Sequence, residues 1–228
     1  MEFFKIKYAT NLKEIGPDYP QAGPWKGYDF KSPRAYINVH HNEFPDFVPD
    51  LNYFEISELA PLTDFVSSGL SHGFLLNDKA KSLLEAYNLP EHRFYPLVIK
   101  RGKDFIRETY FWMHIVSNYS TFIDFRKTKF YVSFFDKKET DLDISTYEEL
   151  IDMVKTYINQ NRFIKAQTIY LKPEFYELKM DLFVISTIDY NKYVSEKLRD
   201  RLIEDRITGI EIISVKQFLV PAKPILFR

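Results

Sequence analysis

Residues 109–116, TYFWMHIV, leave little freedom to the fold around them. Side chains alternate along a strand, so Tyr110, Trp112, His114 and Val116 share one face while Phe111, Met113 and Ile115 share the other. Both faces are apolar, which predicts a central strand with cover on each side. A histidine in that position reads as a core residue whose ring nitrogens are hydrogen-bonded. To act as a general base it needs an orienting carboxylate and a nucleophile. Asp124 lies just beyond the turn SNYS, and Ser117 and Ser120 lie within it. A small hydrolase using His114 and Asp124 is therefore one alternative reading.

More strands are predicted around this one. A first covers 2–9, and YINVH (36–40) reads as a short one. RFYPLVIK and FIRETYFWMHIV flank Arg101-Gly102-Lys103, a hairpin turn. TFIDF, KFYVSFF, AQTIYL, DLFVIST and GIEIISV follow. Three helices interrupt them. Asn77 is a good N-cap for the first, with Ala80, Leu83, Leu84 and Tyr87 on one face and Asn88 suited to a left-handed end. Ser145 with Glu148 forms a capping box for the second, whose stripe is Tyr147, Leu150, Ile151, Val154 and Ile158. The third starts at Ser195, carries Leu198 and Leu202, and ends near Thr208-Gly209. This order predicts an α+β fold, a largely antiparallel sheet with about three helices packed on it, in a single domain over 1–228. FLLNDKAKSLLEAYNL and YVSEKLRDRLIEDRI echo each other: with Asn77 on Ser195, Leu84 falls on Leu202 and Leu89 on Ile207. Residues 10–50 are rich in Pro and Gly and predict an extended stretch. Trp25, Tyr28, Phe30, Phe44 and Phe47 give it too many apolar anchors for disorder.

Composition narrows the functions. The chain has 228 residues, enough for a sizeable core without staples. It has no cysteine, which removes disulfides, thiolate zinc sites and cysteine nucleophiles and fits a reducing compartment. MEFFKIKYATNLKE lacks the pattern of a secretory signal, and no apolar run reaches the ~18 residues of a membrane span, so the expectation is a soluble cytoplasmic protein. A net charge of −1 argues against direct nucleic-acid binding as the main role. The 21 Phe and 16 Tyr, beside only 7 Gly, suit a β-rich core, with some tyrosines left for interfaces.

Chemical motifs are sparse. Neither the P-loop nor the dinucleotide glycine pattern occurs. His40-His41 with Glu43 resembles a metal site only loosely, since adjacent strand residues point apart and zinc normally takes three protein ligands. His72 and His92 read as solvated loop residues. The chain is expected to have no catalytic residue, metal or cofactor. Charge is uneven: Lys100, Arg101, Lys103 and Arg107 gather at one turn, and Arg126, Lys127 and Lys129 at another. The segment 136–149 is acidic on balance. There Asp136, Glu139, Asp141 and Asp143 are the candidates for binding a partner, because complementary charge steers encounter.

Three stretches taken together carry a family likeness. They are PLTDFVSSGLSHGFLLNDKAKSLLEAYNLPEHRFYPLVIK, TYFWMHIVSNYSTFIDFRKTKFYV and DLFVISTIDYNKYVSEKLRDRLIEDRITGIEI. Their order resembles a family of bacterial immunity proteins from polymorphic toxin systems, first catalogued as a domain of unknown function. The likeness runs over residues 55–213. It rests on the segment Leu89 to Pro96, the segment His114 to Phe125, and a Ser-capped helix running into a Gly-containing strand, Ser195 to Ile212. Asn77 stands where the family pattern suggests Ser, and the helical stretch 145–161 is additional. The resemblance implies a protein without catalytic duty that binds a cognate protein toxin inside the producing cell. A structural module of a secretion-related assembly is a further alternative.

Overall fold

Trp112, Met113 and His114 are each at most 1% exposed, so the strand read as doubly covered is buried on both faces. The computed structural model describes residues 2–51, 54–106, 109–135, 137–188, 191–215 and 218–219. In chain order the described elements are β1 (Phe3–Tyr8), α1 (Leu12–Ile15), β2 (Ala22–Pro24), β3 (Phe54–Ile56), β4 (Phe65–Val66), β5 (Gly73–Asn77), α2 (Asp78–Glu85) and β6 (His92–Leu97). There follow β7 (Ile99–Arg101), β8 (Asp104–Phe105), β9 (Tyr110–Ile115), β10 (Lys129–Phe134), β11 (Lys137–Leu142), α3 (Tyr147–Ile158) and β12 (Phe163–Tyr170). The last are α4 (Pro173–Glu177), β13 (Leu182–Val184), β14 (Lys192–Ser195), α5 (Glu196–Glu204), β15 (Ile210–Ser214) and β16 (Phe218–Leu219). This is an α+β fold with four mostly antiparallel sheets and five helices, against about three expected. The extra two, α1 and α4, are four and five residues long, too short to show a helical period. None of the described helices is long and apolar enough to cross a membrane.

Within the span read as one domain, the chain divides into two compact units. The first comprises Met1–Lys5, Asn118–Glu196 and Ser214–Arg228, and the second Ile6–Ser117 and Lys197–Ile213.

In the second unit one sheet runs β4-β5-β9-β6 and another β2-β3-β7-β8. β9 is central, antiparallel to β5 and β6. Gly73 lies opposite His114, and a Cβ there would sit 1.6 Å from the Met113 carbonyl oxygen, so the close approach of β5 to β9 admits only glycine. RFYPLVIK splits between the two sheets at Val98, whose carbonyl accepts from the Phe54 N–H at 2.9 Å. Gly102, at φ +56°, closes the predicted turn, but between the short strands β7 and β8.

The Pro/Gly-rich stretch is a cover. Ala22, Val39 and Leu51 join Phe54, Leu75, Leu97, Ile99 and Trp112 in one apolar cluster. Its backbone is held by Tyr28, whose hydroxyl donates to the Asp50 carbonyl and accepts from the Tyr36 N–H, both at 2.9 Å. YINVH is not a strand. Residues Tyr36–Asn38 form a 3₁₀ turn, because the Asn38 amide donates back to the carbonyls of Ser32 and Pro33 at 3.0 and 3.3 Å.

In the first unit the sheet order is β11-β10-β12-β16, and β13 and β14 form a hairpin. Its core is aromatic: Phe175 and Phe183 meet edge to face at 4.8 Å, and Phe3 meets Phe183 at 4.9 Å. TFIDF also departs from expectation. It contains a 3₁₀ turn at Ser120–Phe122 and a single bridge from Ile123 to Leu171.

Helix ends follow side-chain chemistry closely. Asn77 caps α2, accepting from the Ala80 N–H at 3.0 Å. The helix then stops at Ala86 without a left-handed Asn88. The cap of α3 is Thr146, one residue beyond the predicted Ser145. Its hydroxyl accepts from the Glu149 N–H at 3.1 Å, and the Glu149 carboxylate accepts from the Ser145 N–H at 2.8 Å. Both S-x-x-E and T-x-x-E occur here in overlapping frames, and packing chooses the second. Replacing Thr146 by Ala is expected to cost about 1 kcal/mol in urea unfolding, and Ser145→Ala far less. α3 and α5 end alike. In α5 the N–H of Ile207 reaches the Leu202 carbonyl and that of Arg206 the Ile203 carbonyl, with Arg206 at φ 51°. In α3 Arg162 reaches Tyr157 and Asn161 reaches Ile158, with Asn161 at φ 56°. Both are Schellman endings. α5 thus stops short of Thr208-Gly209, and Gly209, left-handed at φ +82°, leads instead into β15.

The internal echo has a structural counterpart. Asn77 donates from its backbone N–H to the Asp64 carbonyl at 2.8 Å and from its side-chain amide to the Asp64 carboxylate at 3.1 Å. Ser195 makes the same two bonds to Asp181, at 2.9 and 2.7 Å. The hairpin register also matches, with Phe65 opposite Leu76 and Leu182 opposite Val194, one residue before each cap. The Asn77 clasp also ties its hairpin to α2, through the cap on the Ala80 N–H.

Candidate protein-binding surface

Apolar side chains are left in solvent at several places, among them Leu59, Val48 and Ile203, and the end of the first unit's sheet at the β10–β11 turn carries Phe135, which at 82% is more exposed than any of these. Along β10, Phe130 and Val132 point into the core and are each 1% exposed. Beyond Phe134 the chain must reverse. Phe135 takes a left-handed φ of 44° there and is 82% exposed. A bulky residue at positive φ is strained, and a solvated ring gains nothing from burial. The ring nevertheless has a support: it lies 4.4 Å from Phe134, edge to face. The Arg162 guanidinium stacks 5.0 Å from the Phe134 centroid and binds the Glu139 carboxylate at 2.7 and 3.3 Å. Glu139, Arg162 and Phe134 thus form a stack with Phe135 at its outer end.

A groove of about 550 Å³ borders this stack, lined by Val154 and Ile158 of α3, Phe163, Ile164 and Ala166 of β12, and Ile188 among others. Ile158 and Phe163 are 52% and 56% exposed. The predicted α3 stripe is rotated relative to what is observed. Leu150 is buried and Tyr147, Met153, Val154 and Tyr157 pack on the core, so Ile158 is left facing outward.

The four acidic candidates fare unevenly. Asp136 lies outside the described residues. Glu139 and Asp141 belong to β11, an exposed edge strand rather than a loop, and each is ion-paired, Glu139 with Arg162 and Asp141 with Lys138. Asp143 is exposed between β11 and α3. Surface pairs of this kind are worth about 0–1 kcal/mol, so a partner can displace them cheaply. Phe135 and Phe163 were not singled out from the sequence, and Ile158 was read as part of the core-facing stripe of α3, whereas it is 52% exposed. The one available signal was the doubled Phe at the end of KFYVSFF, which carries an aromatic past the last position the strand can bury.

The histidines belong elsewhere. His114 is 0% exposed, and its Nε2 meets the His40 carbonyl at 2.9 Å. Asp124, of the other unit, is bound to the Lys127 ammonium at 2.8 Å, which holds its carboxyl below the usual carboxylate range. Among the described residues no three His, Cys, Asp or Glu side chains are grouped to hold a metal ion. His92 begins β6, with Nδ1 2.7 Å from the Pro90 carbonyl. No protein-family model matches the chain, and no curated protein matches it significantly in sequence.

Proposed function

We propose that this chain is an immunity protein, which binds a cognate protein toxin in the cell that makes it and blocks the toxin by occlusion, one molecule to one. The observation that carries this reading is the supported, solvent-facing Phe135 beside an apolar groove. Exposed aromatic anchors with an arginine at hand are the side chains that dominate binding energy at protein interfaces. An interface of standard size, ~1,600 Å² in total, would extend from this groove over β11 and the segment after it, where Glu139, Asp141 and Asp143 steer a basic partner. The family likeness over residues 55–213 points the same way. The buried ring of His114, held by a backbone carbonyl, lends no support to a hydrolase.

The test is capture and neutralisation of toxins encoded beside this gene. The wild-type chain is expected to bind one of them. Phe135→Ser and Phe163→Ser are each expected to weaken that binding by about thirtyfold or more, as loss of an anchor worth ~2 kcal/mol requires. A neighbouring toxin neutralised equally well by the double variant would move the interface elsewhere. Neutralisation of none would end the proposal.

A further inference from the structure

We propose that His114 is a pH-sensitive latch, whose neutral ring holds the segment 38–47 against the second unit's sheet and whose protonation releases it. This inference is independent of toxin binding.

The latch is a cluster of groups from four parts of the unit. His114 projects from β9, one residue before the strand ends, and is 0% exposed. Its Nε2–H donates to the backbone carbonyl of His40, and its Nδ1 has no hydrogen-bond partner. Phe44, from the same segment as His40, sets its edge on the imidazole at 5.7 Å. On the other side of Phe44 lies the Arg93 guanidinium of β6, 4.2 Å from the ring centroid, and Arg93 is the residue opposite His114 in the ladder. His72, at the entry to β5, is 6.5 Å from His114, and His41 is 5.4 Å from His72, all between ring centroids. Trp112 and Tyr95 complete the surround at 5.1 and 6.4 Å. The carboxylates of Glu43 and Asp46 belong to the same segment and line a cavity beside His40, while the hydrogen bonds of His114 go to none of them.

The charge that bears on the His114 ring is the Arg93 guanidinium, a cation. A second proton on His114 needs an acceptor at Nδ1, and none of the described residues offers one in the closed form. Burial pushes the His114 imidazole below its ordinary value, the His40 carbonyl opposes this, and Arg93 adds to it. The open form binds the proton more readily. Closure is therefore at full strength above the open-state value, about 6.5, and weakens as the pH falls through it.

Hydrogen exchange reads the opening directly. The amides of Asn38, Val39 and Asp50 are hydrogen-bonded within this cover. Their protection factors are expected to be flat above pH 7 and to fall by up to about tenfold per pH unit below 6.5, until the closed form's His114 takes up the proton itself, while amides of α3 keep theirs. In His114→Gln, whose side-chain amide can still donate to the His40 carbonyl but does not titrate, the fall should be lost. An undiminished fall in His114→Gln, or no fall in the wild type, overturns the latch. If His114→Gln does not fold, the wild-type ring decides. Its Cε1–H resonance must move in step with the loss of protection, and either event without the other refutes the proposal.

Discussion

Gly73→Ala is expected to destabilise the second unit by about 3 kcal/mol or more, the upper end of what overpacking costs. The reason is positional. The new methyl would lie 1.6 Å from the Met113 carbonyl oxygen and 2.8 Å from its carbon, and both are backbone atoms of the strand that β5 pairs with. A side chain could rotate away, but a ladder strand can yield only by breaking pairs on one side. The measurement is the urea midpoint followed by Trp112 fluorescence in a Trp25→Phe background. Gly23→Ala is the control, since no atom lies within 4 Å of the Cβ it would add. It should leave the midpoint within about 0.5 kcal/mol of the parent. Equal effects from the two substitutions would mean that β5 and β9 are not packed as described.

Asp64→Ala is the second large effect, about 3 kcal/mol, since a buried donor that loses its acceptor costs about 1–3 kcal/mol and Asp64 serves more than one. The Asp64 carboxylate, in a residue 7% exposed, accepts from the Thr208 N–H at 2.8 Å, the Thr208 hydroxyl at 2.9 Å and the Asn77 amide at 3.1 Å. Lys79 stands at 3.4 Å. Alanine leaves three donors without an acceptor. Asparagine should rescue little, because a carboxylate is acceptor-only whereas an amide turns two N–H groups toward donors. The pair of variants therefore separates hydrogen-bond polarity from size. If Asp64→Asn were as stable as the parent, the network would be incidental to the fold.

Alternation along TYFWMHIV was enough to place β9 in the middle of a covered sheet, because two apolar faces admit few other solutions. Asn77 was legible as a cap for an equally local reason. Failures came where a local pattern had two solutions or where the partner was remote. Ser145 and Thr146 offer overlapping frames, and only the burial of Leu150 decides between them. YINVH alternates like a strand, yet Asn38 turns it by bonding backwards. His114 was correctly read as a core ring, but its partner is the carbonyl of His40, 74 residues away, where sequence proximity suggested Asp124. The binding surface was the least legible part. Whether Phe135 is covered depends on which side of a turn it falls, and strand periodicity ends one residue too early to say.

Asp64 also closes chain segments of very different length. It joins Asn77 across 13 positions and Thr208 across 144. The longer closure carries about 2 kcal/mol more chain entropy than the shorter. Once the nearby hairpin has formed, its carboxylate is already oriented for the distant loop, so the segment that arrives last docks on a site the earliest contacts have prepared. Residues 197–213 are therefore expected to lose amide protection together with the rest of their unit and not ahead of it.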